Sequence, residues 1–187
     1  NPQSVYGISK VFSFYVTKNY REAYNMYACN GILFNHESSR RGETFVTKKI
    51  VQGLVNIKKN KQKKLILGNL YSIRDWGHAK DFVLAMWKIM QMNKPDDYVI
   101  STNKQFSVKK FTELVAKKLD MKIIWRGKGL KEKGYVNNKE TIIIDKKYFR
   151  PTDVNQLRGN FKKAKKQLKW EPKHDINFLI DEMLEGI

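Results

Sequence analysis

Cysteine is almost absent from the 187-residue sequence, since Cys29 in "MYACNGILF" is its single instance. One cysteine excludes an internal disulfide framework, and we predict that Cys29 is a buried, inert thiol in a strand. The sequence also lacks an apolar run long enough to cross a membrane. Its first residues, "NPQSVYG", have neither the basic region nor the apolar stretch of a signal peptide. These absences favour a cytoplasmic protein.

Acidic residues are scarce relative to basic ones: 18 Asp and Glu against 37 Lys and Arg give a formal net charge of +19. Most of the basic residues are lysines scattered along the chain, whereas arginine, the better reader of bases and phosphates, is rare. We attribute the lysines to a codon bias that has loaded solvated faces. A nucleic-acid-binding module stays an alternative, although no RRM, zinc or OB signature supports it. The charge should attract anionic ligands.

Glycine-rich phosphate loops are missing as well, because neither GxGxxG nor GxxxxGK[ST] occurs. Helix and strand patterns nevertheless alternate, which predicts an α/β fold with a parallel sheet. Only two predicted strands, near 26–34 and 98–102, have the unbroken apolar character of a fully buried strand. Two strands do not make a doubly wound sheet, so the predicted sheet lacks its first half.

Apolar spacing predicts six helices, which begin near residues 5, 45, 79, 107, 160 and 175. Ser107, Asn160 and Asp175 are the expected caps of the last three. Shorter strands are predicted at "LIL", "KIIW" and "TIIID". The Gly- and Lys-rich stretch 126–140 is predicted to be a mobile loop.

Tyr6 and Lys10 form a Y-x-x-x-K motif near the start of the sequence. Residues four apart lie on one face of a helix, so the two side chains should meet. A phenol is a poor base at neutral pH, but a nearby ammonium favours the phenolate. Such a tyrosine can remove a hydroxyl proton while hydride leaves for a nicotinamide. The spacing also fits an aromatic core residue beside a solvated lysine, so the motif alone does not decide.

Longer strings favour the catalytic interpretation. The sequence contains, in this order, "YGISK", "NGILFNHESSRRGETFVTKKI", "LGNLYSIRDWGHAKD", "YFRPTDV" and "LKWEP". Together they resemble the GDP-mannose 4,6-dehydratase family, an extended branch of the short-chain dehydrogenase/reductases, over nearly the whole chain. The related dTDP-glucose dehydratases and UDP-sugar epimerases share the Tyr/Lys pair but not these strings.

The resemblance implies a partial NAD(P)-binding Rossmann fold interleaved with a smaller α/β substrate domain. Residues 1–34 and 75–102 would form the second part of the Rossmann domain. Residues 35–74 and 103–187 would form the nucleotide-sugar domain. In the family, the Tyr/Lys pair lies midway along the chain, after the glycine-rich half and an upstream Ser/Thr and Glu. We therefore expect a fragment that is inactive alone.

The resemblance also assigns residues to NADP. Tyr6 would remove the C4 hydroxyl proton during oxidation, and Lys10 would tune Tyr6 and hydrogen-bond the nicotinamide ribose. His36 and Arg41, in "NHESSRRG", match family positions that contact the cofactor. These four residues form the expected cofactor site.

A second group is expected to bind the nucleotide sugar. Arg74 and Arg150 would clamp the diphosphate and ribose, as bidentate guanidinium groups do. A salt bridge to Asp75 is the alternative role for Arg74. Further contacts are expected from Asn35, Thr47, Lys48 and Asp153.

Two positions depart from the family pattern. Ser39 stands where the family usually has proline, which should loosen the loop without removing its charges. Asp153 stands where the family usually has glutamate, which could weaken a contact to a ribose hydroxyl.

The implied reaction converts GDP-mannose to GDP-4-keto-6-deoxymannose, with NADP regenerated in each turnover. The resemblance implies a homo-tetramer in which the "SSRRG" loop reaches toward a neighbour's cofactor, with no metal and no membrane partner. Two alternatives stay open: another extended-family epimerase or reductase that acts on a nucleotide sugar, and the basic nucleic-acid-binding module. Product analysis separates the first of these, because only a dehydratase yields a 4-keto-6-deoxy sugar.

Overall fold

A computed structural model describes residues 2–149, 152, 154 and 156–187. Six α-helices lie within this part of the chain: α1 Val5–Tyr24, α2 Val46–Lys58, α3 Ala79–Met90, α4 Val108–Lys118, α5 Lys162–Leu168 and α6 Ile176–Glu185. The strands are short: β1 Gly31–Leu33, β2 Asn35–Glu37, β3 Leu65–Leu67, β4 Ile73–Arg74, β5 Trp76–His78, β6 Tyr98–Ile100, β7 Phe106–Ser107, β8 Ile123–Arg126, β9 Lys133–Val136 and β10 Lys139–Ile144.

Two parallel strand pairs organise the region between α1 and α4. β1 pairs with β6, so that Ile32 lies opposite Val99. β2 pairs with β5, so that His36 lies opposite Gly77. Parallel neighbours that are joined through helices are the pattern expected from alternating strands and helices. The predicted α/β class is confirmed, although the sequence pattern had not indicated β2, β4 or β5 as strands.

A separate four-stranded sheet has the strand order β3-β10-β9-β8. β10 runs parallel to β3 and antiparallel to β9, and β9 runs antiparallel to β8. The prediction of a mobile loop over 126–140 was therefore wrong, because β9 occupies its centre. Asn137 and Asn138, at φ 50° and 61°, make the tight turn of the β9-β10 hairpin. Asparagine tolerates this left-handed conformation better than most side chains.

The predicted helix caps are confirmed for α4 and α6. The Ser107 hydroxyl accepts a hydrogen bond from the backbone N–H of Lys110. The Asp175 carboxylate accepts from the backbone N–H groups of residues 177 and 178. Asn160 also accepts from a backbone N–H, that of Lys162, although α5 itself begins after Phe161.

Two apolar clusters form the core. The first lies between the four-stranded sheet and three helices, and it comprises Ile50, Val51, Leu54, Leu65, Leu67, Leu70, Trp76, Val108, Phe111, Val115, Ala116, Ile142, Ile176, Leu179, Ile180 and Met183. The second comprises Phe82, Ala85, Ile89, Tyr98, Ile100, Ala164, Leu168 and Trp170. In the second cluster, α5 and Trp170 pack against α3 and β6. The proposed domain boundaries stay a prediction.

Helix α1 has no buried residue. Its apolar side chains, including Val5, Ile8, Phe12 and Tyr15, lie exposed along the helix, and Phe12 has 70% of its surface accessible. The expectation of a fully buried strand at 26–34 was also wrong. Ile32 is exposed and Cys29 is half-buried before β1, because β6 is the only strand paired with β1 among the described residues. Among the helices of the described residues, none combines the length and the apolar character that a membrane span requires.

An ion pair joins α1 to Asp97, the residue directly before β6. The two Arg21 guanidinium Nη atoms lie 2.8 and 2.9 Å from the Asp97 carboxylate oxygens. Asp97 also accepts from the backbone N–H and side-chain amide of Asn30. The hydrogen bonds from Arg21, together with those from Asn30, lower the pKa of Asp97 from 3.8 to about 2. Asp97 therefore contributes most to the stability of the folded protein when its carboxylate is charged.

We expect Asp97→Asn to lower the free energy of unfolding by about 2 kcal/mol at pH 7, since one unit of pKa shift corresponds to roughly 1.4 kcal/mol. The folded-state pKa lies below the unfolded value of 3.8, so this contribution is full above about pH 4 and is lost as the pH falls to about 2. Urea unfolding of the wild type and the variant across this range measures it.

Asp96→Asn is the matched control for this experiment. The Asp96 carboxylate pairs with Lys163 at a more exposed position, where an ion pair contributes less than about 1 kcal/mol. Equal losses in the two variants, or a loss in Asp97→Asn that does not change with pH, would contradict the role given to Asp97.

Candidate active site

Tyr6 and Lys10 lie together on the first turns of α1. The helix begins at Val5 because the Ser4 hydroxyl accepts from the backbone N–H of Gly7 at 3.0 Å. The Lys10 ammonium lies 5.3 Å from the centroid of the Tyr6 ring. Tyr6 has 71% of its surface accessible. The helix thus presents a phenol and an ammonium side by side on an open surface; their catalytic role stays a prediction.

His36 is held in one orientation and one tautomer. Its ring stacks on Phe82 with centroids 4.9 Å apart. Its Nδ1 lies 2.8 Å from the carbonyl oxygen of Phe34. A carbonyl only accepts hydrogen bonds, so Nδ1 carries a proton and Nε2 is the lone-pair nitrogen of the neutral ring. The imidazole is therefore fixed before any ligand binds.

Arg41 is positioned by Glu37 and Phe45. Glu37 is 2% exposed, and burial raises the pKa of its carboxyl group against the opposing effects of Thr47 and Arg41. Arg41 Nε lies 2.9 Å from Glu37 Oε2, close enough for an ion pair but not aligned for a hydrogen bond. The guanidinium carbon lies 3.5 Å from the centroid of the Phe45 ring. A carboxylate and an aromatic face thus restrict the guanidinium.

Three of the predicted substrate contacts lie beside the loop between β2 and α2. The Thr47 hydroxyl donates to Glu37 at 2.8 Å, and the Lys48 ammonium donates to the carbonyl of Ser39 at 3.0 Å. Both side chains are buried. Asn35 begins β2 opposite Trp76. Thr47 and Lys48 hold the loop in shape, and their contact with a substrate stays a prediction.

Lys49 was not among the predicted site residues. Its ammonium lies 3.7 Å from the centroid of the Tyr148 ring, and burial lowers the pKa of Lys49. Adjacent residues on a helix point about 100° apart, so Lys48 and Lys49 cannot both face the loop. The pair of lysines in "TKK" was the available signal, but the sequence alone does not show which of them is turned toward the loop.

Arg74 lies at the end of β4. One Nη atom donates to the carbonyls of Ile73 and Val154 at 2.9 and 2.7 Å. The neighbouring Asp75 is fully buried, and its carboxylate accepts from the backbone N–H groups of residues 102 and 103, each at 2.8 Å. Asp75 therefore joins β5 to the end of β6. The predicted residues Arg150 and Asp153 lie outside the described residues.

Ser39 does not behave as expected for a loosened position. Its hydroxyl and backbone N–H both donate toward the Glu182 carboxylate of α6, at 3.2 and 3.4 Å. A proline at this position has no N–H to donate.

Within the described part of the chain, no group of three or more His, Cys, Asp or Glu side chains could hold a metal ion.

Solved structures share this fold at low sequence identity. RMD from Pseudomonas aeruginosa, solved with NADPH, matches 97% of this chain and 55% of its own with a TM-score of 0.78 at 15% identity. UDP-glucuronic acid 4-epimerase from Bacillus cereus, solved with UDP-glucuronic acid and NAD, matches 100% of this chain and 53% of its own. The TM-score is 0.79 at 15% identity. At such identities the likeness shows the fold alone.

Sequence relatives are much closer. A protein of Dictyostelium discoideum named GDP-mannose 4,6 dehydratase is 49% identical over 185 residues, which are 98% of this chain and 52% of that protein. GDP-mannose 4,6 dehydratase 2 of Caenorhabditis elegans is 48% identical over 98% of this chain and 48% of its own length. The human GDP-mannose 4,6 dehydratase is 44% identical, with coverages of 99% and 50%.

The chain thus spans about half the length of the curated relatives it matches. The family model described as GDP-mannose 4,6 dehydratase matches residues 1–183. Nearly the whole described chain, including Tyr6, Lys10, the 35–49 segment and Arg74, lies within that match. The chain belongs to the GDP-mannose 4,6-dehydratase family.

Proposed function

We propose that the protein containing this chain is a GDP-mannose 4,6-dehydratase that uses NADP. The observation that carries the proposal is the 44–49% identity, over nearly the entire chain, to proteins of that name. The Tyr6–Lys10 pair on the open side of α1 supports it. The reaction oxidises C4 of the mannose, eliminates water across C5 and C6, and reduces C6.

The dinucleotide is assigned to the exposed face of α1 that carries Tyr6 and Lys10. Tyr6 and Lys10 share one face of α1, whereas the exposed Val5, Ile8 and Phe12 point away from that face, because successive helical residues are about 100° apart. NADP, when bound there, supplies the hydride acceptor for C4 and later the hydride for C6.

Tyr6 acts as the base of the oxidation step. Its phenolate removes the C4 hydroxyl proton, and the Lys10 ammonium stabilises that phenolate. The resulting C4 ketone makes the C5 proton acidic, so that oxidation must precede the loss of water. The residue that removes the C5 proton is not among those we assign on this chain.

His36 and Arg41 are proposed to contact the cofactor. The guanidinium of Arg41 is restricted by Glu37 and Phe45 before binding, so little side-chain freedom is lost when it meets a phosphate. The lone-pair nitrogen of His36 can accept a hydrogen bond from a ribose or amide group.

The nucleotide sugar is assigned to the other side of α2. Arg74 donates to the carbonyl of Val154, and the Lys49 ammonium lies over the ring of Tyr148. In the sequence, Arg150 and Asp153 come between Tyr148 and Val154. We assign Lys49, rather than Lys48, as the ammonium for the diphosphate; Asn35 and Thr47 remain proposed contacts. A cytoplasmic homo-tetramer remains part of the proposal.

In the full-length protein, we expect Tyr6→Phe to lower kcat by about a hundredfold to ten-thousandfold, the usual cost of losing a general base. Binding of GDP-mannose should be unchanged, since the ring remains. Single-turnover absorbance at the reduced nicotinamide band measures the oxidation step. Tyr15→Phe is the control, because Tyr15 is also an exposed phenol on α1. Near-normal turnover in Tyr6→Phe would show that another group is the base.

We expect Lys49→Met to weaken GDP binding about tenfold to a hundredfold, the effect of losing a charged hydrogen bond of roughly 1.5–3 kcal/mol. Lys48→Met is the matched comparison, and its loss of GDP affinity should be smaller because its ammonium donates to Ser39. Calorimetry with GDP and the full-length variants gives both values. A larger loss in Lys48→Met would reverse the assignment.

A further inference from the structure

Glu182 on α6 lies where three parts of the chain meet. We call residues 38–42, between β2 and α2, the arginine loop, because it contains Arg40 and Arg41. Glu182 Oε1 accepts from the Ser39 hydroxyl at 3.2 Å and from its backbone N–H at 3.4 Å. Glu182 Oε2 lies 2.9 Å from His78 Nε2 and 2.9 Å from the Lys80 ammonium. One carboxylate thus connects α6, the start of α3 and the arginine loop.

The protonation states of these groups follow from their contacts. The hydrogen bond from Lys80 is the largest cause that lowers the pKa of Glu182 to about 2. His78 is buried, and this burial lowers the pKa of its ring. His78 Nδ1 accepts from the backbone N–H of Lys80, so the neutral ring carries its proton on Nε2 and donates it to Glu182. Glu182 is therefore a charged acceptor with four donors.

Ser39 is held from several sides at once. Besides the two contacts with Glu182, its carbonyl accepts from the Lys48 ammonium at 3.0 Å. Gly186 passes so close that a Cβ there would lie 2.8 Å from Ser39 Cβ. Two residues later, the backbone N–H of Arg41 donates to the carbonyl of Ser38 at 3.0 Å, which closes a turn. The position of Ser39 therefore sets the position of the Arg41 backbone.

The packing of α6 does not depend on Glu182. The helix is anchored in the first core cluster through the buried side chains of Leu179, Ile180 and Met183. Glu182 lies at the rim of an open groove of about 900 Å³ that is also lined by Arg40 and Lys80. Removal of its carboxylate should release the loop while the helix stays in place.

We propose that Glu182 is a positioning residue that holds Ser39, and through it Arg41, in place for the NADP phosphate. This inference rests on the proposed function only for the identity of the ligand. The hold on the loop itself follows from the contacts of Glu182. Loss of the contacts between Glu182 and Ser39 should lower cofactor affinity. It should not lower kcat at saturating cofactor, because Glu182 touches neither substrate nor cofactor.

The test uses the full-length protein with Glu182→Ala, Glu182→Gln and Ser39→Ala. Trypsin cleavage after Arg40 and Arg41 should be about tenfold faster in Glu182→Ala, since cleavage follows the open population of a loop. The Kd of NADPH should rise by a similar factor, while kcat at saturating NADP and GDP-mannose stays within about twofold. Glu182→Gln keeps an acceptor oxygen, so its cleavage rate and its Kd of NADPH should lie between those of the wild type and of Glu182→Ala. Glu185→Gln, at an exposed position on the same helix, should match the wild type.

Unchanged cleavage in Glu182→Ala would overturn the proposal, and so would faster cleavage with unchanged NADPH affinity. If Glu182→Ala fails to fold by circular dichroism, Glu182→Gln and Ser39→Ala decide by the same two readouts. A wild-type protein that does not bind NADPH would contradict the proposed function instead, and the cleavage comparison would still test the hold on the loop.

Discussion

The close approach of α3 to strands β2 and β5 at Gly77 is the constraint on which the candidate site depends. A Cβ at Gly77 would overlap the Phe82 ring and lie 2.9 Å from Thr102 Cγ2. Because glycine is there, Phe82 packs directly beneath the strands, His36 stacks on it, and Trp170 meets its ring edge-on. The same β2-β5 register sets Glu37 opposite His78. The contact at Gly77 thus supports the stacking of His36, and the β2-β5 register places the residue that precedes the arginine loop.

Buried carboxylates extend this arrangement to the rest of the chain. Asp81, in the first turn of α3, accepts from the backbone N–H groups of Lys173 and His174 and pairs with His174 Nδ1 at 2.8 Å. These contacts fix the chain directly before α6, and α6 carries Glu182. A buried carboxylate that loses its donors costs far more than a surface charge. The acidic groups, although few, thus link segments that lie far apart in the sequence.

The sequence patterns predicted the helices and the caps Ser107 and Asp175 because these depend on local spacing and local hydrogen bonds. They did not predict the β9-β10 hairpin, whose only signal was two adjacent asparagines in a lysine-rich stretch. Apolar spacing also predicted helix α1, but periodicity does not say what covers its exposed apolar side chains. The separate orientations of Lys48 and Lys49, and the contact between Ser39 and Glu182, join residues through tertiary packing, which no local pattern encodes.

The most direct test of the account follows the hydrogen that leaves C4. The full-length protein would be incubated with NADP and GDP-mannose deuterated at C4, and the product would be examined by mass spectrometry and NMR. A dehydratase that returns the C4 hydride to C6 yields a product that has lost one water and carries the deuterium on its C6 methyl group, with no net NADPH formed. A product isomeric with GDP-mannose, or one that accumulates with equimolar NADPH, would contradict the proposed reaction.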